Sequence, residues 1–187
     1  MSTRTIAITG ASGLIGTALT RHFEANGDRV LKFTRSGRSS DTTIAWNPVA
    51  GTIDAAQLSG VDAVIHMAGA GIGDKRWSDE YKKEILDSRV LGTKLLASAM
   101  AETSDGPKVL LSGSAIGIYG PRGDEQLDEN SRHGESFLAE ATATATTVAL
   151  TEVETIEIKK DDFYWLSIKH PRLVFNIFTI NNKRLRT

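Results

Sequence analysis

The segment Thr5-Ile-Ala-Ile-Thr-Gly10-Ala-Ser-Gly13-Leu-Ile-Gly16 constrains this chain more than any other, because a short apolar strand runs directly into three glycines spaced by three and then into a helical pattern. Gly10 lets the chain leave the strand in a tight turn. Gly13 lets backbone N–H groups approach an anion with no Cβ in the way, and Gly16 lets the following helix pack close to the sheet. A strand, a glycine turn and a helix in this order form a phosphate cradle, and its natural ligand is the pyrophosphate of a dinucleotide. Gly10, Ser12, Gly13, Leu14, Ile15 and Gly16 are therefore the first candidate binding residues.

Composition narrows the setting. A chain of 187 residues is large enough for one domain with a real core. Its 22 basic and 23 acidic residues leave a net charge of −1, so no global field recruits nucleic acid or an anionic membrane. Cysteine is absent, which excludes disulfides, thiolate metal sites and cysteine nucleophiles and fits a reducing compartment. The N-terminus reads as a strand and not as a signal peptide, and no apolar run approaches the roughly 18 residues of a membrane span. The expectation is a cytoplasmic protein whose partner is a small-molecule substrate, with neither nucleic acid nor membrane involved.

Strand and helix patterns alternate through the first two thirds: Thr5–Thr9, a helix from Leu14 to Asn26, Arg29–Thr34, Ala63–Met67, a helix from Asp79 to Ala101, then Lys108–Ser112. This order predicts an α/β fold, a Rossmann-like, doubly wound and mainly parallel sheet with helices on both faces and ligands at the C-terminal strand ends. Asn26-Gly27 reads as the end of the first helix. Ser78 reads as the N-cap of the long helix, which carries Ile85, Leu86, Val90, Leu95 and Leu96, with Trp77 packed beneath that cap. All 17 glycines lie between Gly10 and Gly134, so the chain changes character near residue 137. Residues 1–138 are expected to form the dinucleotide-binding domain, and 139–187 a divergent tail. The tail opens on an alanine/threonine stretch, Ala139–Thr147. It then offers either two added strands, Val153–Ile158 and Leu173–Ile180, or a poorly packed extension.

The glycine turn, Thr34-Arg35-Ser36, His66-Met67-Ala68-Gly69-Ala70, Asp74-Lys75-Arg76-Trp77, Ser88-Arg89-Val90 and Ser114-Ala-Ile-Gly-Ile-Tyr119-Gly120, in this order, closely resemble an atypical short-chain dehydrogenase/reductase family, the sugar-nucleotide epimerase-like proteins. The resemblance covers about residues 4–138. Members are normally longer, with a sixth strand and a C-terminal substrate domain that this chain lacks in recognisable form; Ile168–Val174 resembles the sixth-strand region only faintly. The resemblance implies that Thr34, Arg35 and Ser36 hold the adenosine phosphate. It also implies that Met67, Ala68 and Gly69 line the adenine-ribose side, and that Glu84 and Arg89 contact the cofactor from the long helix.

Arg35 carries an independent argument about the cofactor. Dinucleotide folds that select NAD usually place Asp or Glu about 20 residues beyond the glycines, on the ribose hydroxyls. A guanidinium there instead forks onto a 2′-phosphate, so NADP(H) is favoured; the alternative is a solvated arginine at a strand end.

The chemistry is less sharply written. Typical members of the superfamily use a Tyr-x-x-x-Lys pair, and no tyrosine here has lysine four residues on: Tyr81 precedes Ile85, Tyr119 precedes Gly123 and Tyr164 precedes Ile168. The place expected for that tyrosine falls near Phe137–Ala141. Ser112 and Ser114 stand where the superfamily's serine would lie, and Tyr119 is the substitute acid or else a packed loop aromatic. Lys75 and Arg76 are either an anion clamp or solvated charges. His66, in the predicted strand Ala63–Met67, reads as a hydrogen-bonded core residue before it reads as a base. His22, His133 and His170 show no ligand spacing, so no metal site is expected, and no nucleophile elbow or triad pattern appears.

The function implied by the resemblance is an NADP(H)-binding oxidoreductase or epimerase-like protein working by hydride chemistry on a small polar or nucleotide-sugar substrate. The alternatives are a non-catalytic NADPH-binding sensor or partner-binding module, or a truncated or frame-shifted inactive product.

Overall fold

The computed structural model describes residues 3–128 and 131–143. Strands β1 (Thr5–Thr9), β2 (Arg29–Thr34), β3 (Thr43–Asn47), β4 (Thr52–Ile53), β5 (Ala63–His66) and β6 (Val109–Ser112) form one sheet in the order β4-β3-β2-β1-β5-β6. All pairings are parallel except β3 with β4. Helices α1 (Leu14–Ala25) and α2 (Asp79–Glu102) cover it, and α3 (Phe137–Ala143) follows at the strand-end side. This is the expected Rossmann-like architecture, with one addition. The β3–β4 hairpin was not predicted, and its two strands make the one that ends at His66 the fifth. No helix among the described residues is long and apolar enough to cross a membrane.

The apolar runs of the strands follow from burial on both faces. Ile6, Ile8, Val30 and Ile65 turn to one side, where Leu19 and Phe23 of α1 cover them. Ala7, Leu31, Phe33, Ile44, Trp46, Val64 and Leu110 turn to the other and pack with Leu96 and Ala99 of α2. Trp46 explains why the unpredicted β3 is held: its indole is buried against the Phe33 ring at 5.3 Å.

Helix ends behave as their sequences dictate. Gly27 takes φ +83, its N–H donates to Glu24 O, and the Asp28 N–H donates to Phe23 O at 3.0 Å, a Schellman closure that ends α1. The Ser78 hydroxyl accepts from the Tyr81 N–H at 3.2 Å, while Asp79 and Glu80 place negative charge at the α2 N-terminus. Trp77 does not lie beneath that cap. Its N–H donates to Ile72 O at 2.8 Å and its ring meets Phe137 edge-on at 5.4 Å, which joins the loop before α2 to α3. Helix α3 crosses residue 138 and includes the start of the alanine/threonine stretch, whereas the two strands expected in the tail lie outside the described residues.

The turn after β1 depends on missing side chains. Gly10 has φ +64, and a Cβ on it would stand 2.9 Å from the Met67 carbonyl; a Cβ on Gly16 would fall on the Gly10 carbonyl oxygen. Gly16→Ala should therefore lower stability by about 1–3 kcal/mol, as overpacking does. Urea unfolding measures it, and an unchanged midpoint would contradict the close approach.

Candidate functional site

At the C-terminal ends of β1, β5 and β6 lies a cleft of about 430 Å³. The chain leaves β1 toward β2 on one side and has β5 on the other, so the cleft sits at the topological switch point where open α/β sheets bind ligands. Four segments wall it: the glycine turn with the first turn of α1, residues 66–72, residues 112–117, and Leu138, Ala141 and Thr142 of α3.

The cradle has the properties of an anion site. Gly13 is the N-cap of α1 with no side-chain cap, and no acidic residue stands in the first helical turn. The first-turn N–H groups of α1 therefore have no side-chain acceptor at the cleft, where Gly13, Leu14, Ile15 and Gly16 all form the wall. Ser12 is exposed at the turn and outside the wall.

The 67–72 loop is strapped to α2 residue by residue. The Ala70 N–H donates to the Ser88 hydroxyl at 2.9 Å, Arg89 donates to Ala70 O at 3.1 Å, and the Tyr81 hydroxyl donates to Gly71 O at 2.5 Å. Arg89 also donates to Ile85 O at 3.0 Å and crosses Gly69 so closely that a Cβ there would stand 3.4 Å from the guanidinium carbon. Among the described residues of the wall Arg89 is the one charged side chain, and burial lowers its pKa from the ordinary arginine value. At the base of the loop the Thr9 hydroxyl accepts from the N–H groups of Met67 and Ala68 at 2.9 and 3.0 Å and lies 2.7 Å from His66 Nδ1.

The candidates named from the sequence divide by place. Gly10, Gly13, Leu14, Ile15, Gly16, Met67, Ala68, Gly69, Arg89, Ser112 and Ser114 meet in the wall. Thr34, Arg35 and Ser36 lie outside it at the end of the adjacent β2, where the Thr34 hydroxyl donates to Ser36 O at 2.6 Å and Arg35 is exposed. Glu84 is outside the wall too, exposed and ion-paired with Lys75 at 3.1 Å. Lys75 also lies 4.8 Å from the centre of the Tyr81 ring, so it belongs to the packing of the α2 N-terminus. Tyr119 closes the 3₁₀ turn Ile116–Tyr119 and is not in the wall. Ser114 lines the cleft, and its Oγ is buried with no hydrogen-bond partner among the described residues. Among the described residues no three His, Cys, Asp or Glu side chains converge to hold a metal.

Sequence reasoning passed over Thr9, Ser88 and Ile72. Ser88 stood beside Arg89 in a recognised motif, and its helical position one turn from Ile85 was a usable signal. Thr9 offered none, because its partners are 57 to 59 residues away.

An open parallel sheet with an uncapped glycine turn at its switch point defines a Rossmann-type nucleotide-binding fold. Residues 6–153 match the model of the NAD dependent epimerase/dehydratase family, and the chain belongs to that family. It is 39% identical over 135 residues to an epimerase family protein of Mycobacterium leprae, a match covering 72% of this chain and 43% of the relative. It is 31% identical over 132 residues to the human epimerase family protein SDR39U1, covering 70% and 43%. Two solved structures are similar in shape. The nucleoside-diphosphate sugar epimerase of Corynebacterium glutamicum matches at 37% identity and TM-score 0.65, over 77% of this chain and 30% of that one. Human SDR39U1 with NADPH matches at 30% and TM-score 0.65, over 75% and 47%. The chain thus spans less than half the length of these relatives.

His66 gives the cleft a pH signature. Burial, and after it the Arg89 charge, lower its pKa from 6.5 to about 4. Between pH 6.5 and about 4 the unfolded chain takes up a proton that the folded chain refuses, so the stability present above pH 6.5 is lost as pH falls through that window. The loss across the window is on the order of 3 kcal/mol. Urea unfolding at several pH values should show this slope in the native chain and a flatter one in His66→Asn; equal slopes would contradict the assignment.

Proposed function

We propose that this protein binds NADP(H) across the Gly10–Gly16 turn for hydride chemistry on a small polar or nucleotide-sugar substrate. The observation that carries the reading is the uncapped glycine N-terminus of α1 opening into a cleft whose one charged side chain among the described residues is cationic. The human relative's structure with NADPH supports the same reading. The residues present fit the cofactor: side chains are absent where a pyrophosphate must approach the backbone, and donors are present there.

In this reading the first-turn N–H groups of α1 hold the pyrophosphate, and Met67, Ala68 and Gly69 flank the adenosine side. Arg35, at the end of β2, reads the 2′-phosphate, with Thr34 and Ser36 shaping its turn. A bound dinucleotide supplies hydride exchange at a carbinol carbon. The chain's own part is to orient and to handle the substrate oxygen, for which the unpartnered Ser114 hydroxyl is the best-placed group and Ser112 the second. Glu84 and Tyr119 lie off the wall and are given no step.

Arg35→Ala should weaken NADPH roughly 10- to 100-fold and NADH little, since a charged hydrogen bond contributes about 1.5–3 kcal/mol. Fluorescence titration of both cofactors reads the difference; parallel losses would mean that Arg35 does not read the phosphate.

One observation favours a second reading, a cofactor-binding module without turnover. Helix α3 brings Leu138, Ala141 and Thr142 to the cleft where the superfamily's tyrosine is expected, and neither a phenol nor an ammonium comes with them. A positioned proton donor typically contributes about 10²- to 10⁴-fold, so NADPH binding should outlive turnover in this chain. Single-turnover NADPH oxidation with sugar nucleotides, ketones and aldehydes should be very slow or absent. A rate near 1 s⁻¹, typical of modest enzymes, that disappeared in Tyr119→Phe would restore Tyr119 as the acid.

A further inference from the structure

Thr9 and His66 are buried together at the floor of the cleft, and the valence of one fixes the state of the other. A threonine hydroxyl has one hydrogen and two lone pairs. Its neighbours Met67 N–H, at 2.9 Å, and Ala68 N–H, at 3.0 Å, can only donate, so both lone pairs are taken. The hydroxyl hydrogen is left for the third neighbour, His66 Nδ1, at 2.7 Å. Nδ1 must then accept, and the neutral ring carries its hydrogen on Nε2.

We propose that His66 is a positioning residue, locked as the Nε2–H tautomer, and that proton uptake at Nδ1 undoes the Thr9 bridge between β1 and the 67–72 loop of the cleft. The imidazolium would aim a third donor at an oxygen with no lone pair left, while the Thr9 hydrogen lost its acceptor. One of the two hydrogen bonds from the Met67 and Ala68 N–H groups must then break.

The surroundings do not favour the charged ring. From β1 it meets Thr9, and from β3 the edge of Trp46 at a ring separation of 6.0 Å. From α2 it meets Gly92, where a Cβ would stand 3.1 Å from Cε1, so the ring lies against bare backbone. From β6 it has Ser112 in register, and its own carbonyl accepts the Gly113 N–H at 2.9 Å. The charged group acting on the ring is Arg89 of α2, of the same sign as an imidazolium. Among the described residues no carboxylate acts on the ring, so protonation is met by breaking the bridge and not by a new ion pair.

The geometry makes His66 the link that keeps the two sides of the cleft in register. Met67 and Ala68 follow β5, Gly10 follows Thr9 in β1, and a Cβ on Gly10 would already touch the Met67 carbonyl. The two loops have no slack between them. A change in hydrogen-bond count at Thr9 therefore reaches the cradle directly.

The test is nitrogen-resolved NMR of the full ¹⁵N-labelled chain, with the His66 ring assigned by its proximity to Trp46 and Gly92. At pH 7 its Nδ1 should resonate as an unprotonated acceptor and its Nε2 as a protonated nitrogen. On acidification the Met67 and Ala68 amide resonances should shift with the same midpoint as the ring. Thr9→Ser should preserve the tautomer, and Thr9→Val should release it, with Nδ1–H appearing. A protonated Nδ1 at pH 7 in the native chain would overturn the proposal, as would two amides that stay still while the ring titrates. If the chain unfolds before the ring titrates, the tautomer at pH 7 and its change in Thr9→Val decide the matter alone.

Discussion

The site depends on two close backbone approaches: the first turn of α1 rests on the carbonyl of Gly10, and Gly10 rests on the carbonyl of Met67. Two strand ends and a helix N-terminus converge there because two positions carry no Cβ. Filled, either would push α1 off the turn or the turn off the β5 loop, and the donors at the helix N-terminus would no longer face the space between them. The sheet supplies the alignment: β1 pairs in parallel with β2 on one side and β5 on the other, so all three segments emerge on one edge.

Helix α2 holds the second wall. Tyr81 lies two turns before the adjacent Ser88 and Arg89, and each of the three bonds the backbone of residues 70 or 71, while Trp77 just before the helix takes Ile72. Those of Tyr81, Ser88 and Arg89 are hydrogen bonds between partly buried groups and backbone that would otherwise lack partners, so removing one leaves an unsatisfied group behind. The exposed Lys75–Glu84 pair beside them is of the kind that contributes about 0–1 kcal/mol, and it is not what keeps the loop in place. Arg89 combines both functions, a strap for Ala70 and the positive charge of the cleft.

Most of the sheet and its helices could be read from the chain because each signal was local: unbroken apolar runs for strands buried on both faces, Asn26-Gly27 at one helix end, Ser78 at the start of another. The β3–β4 hairpin escaped. Its five-residue alternation around Ile44 and Trp46 sits among Ser, Thr and Asp, and what fixes it is packing on Phe33, which no local pattern contains. The site shows the same division. The glycine turn was legible because its chemistry lies within seven consecutive residues. The hub at Thr9 was not, since a hydroxyl's partners in another strand leave no trace beside it. Glu84, which the resemblance assigns to the cofactor, lies outside the cleft wall and pairs with Lys75, a placement that no local pattern announces.

The central claim is that a dinucleotide lies across the turn between β1 and α1. It is tested most directly by following the backbone amides of the ¹⁵N-labelled chain while NADPH is added. The account predicts saturable one-to-one displacement centred on Gly13, Leu14, Ile15 and Gly16, extending to Met67, Ala68 and Gly69, and abolished in a folded Gly13→Val chain. Displacements confined to other surfaces, or binding unchanged in Gly13→Val, would contradict it.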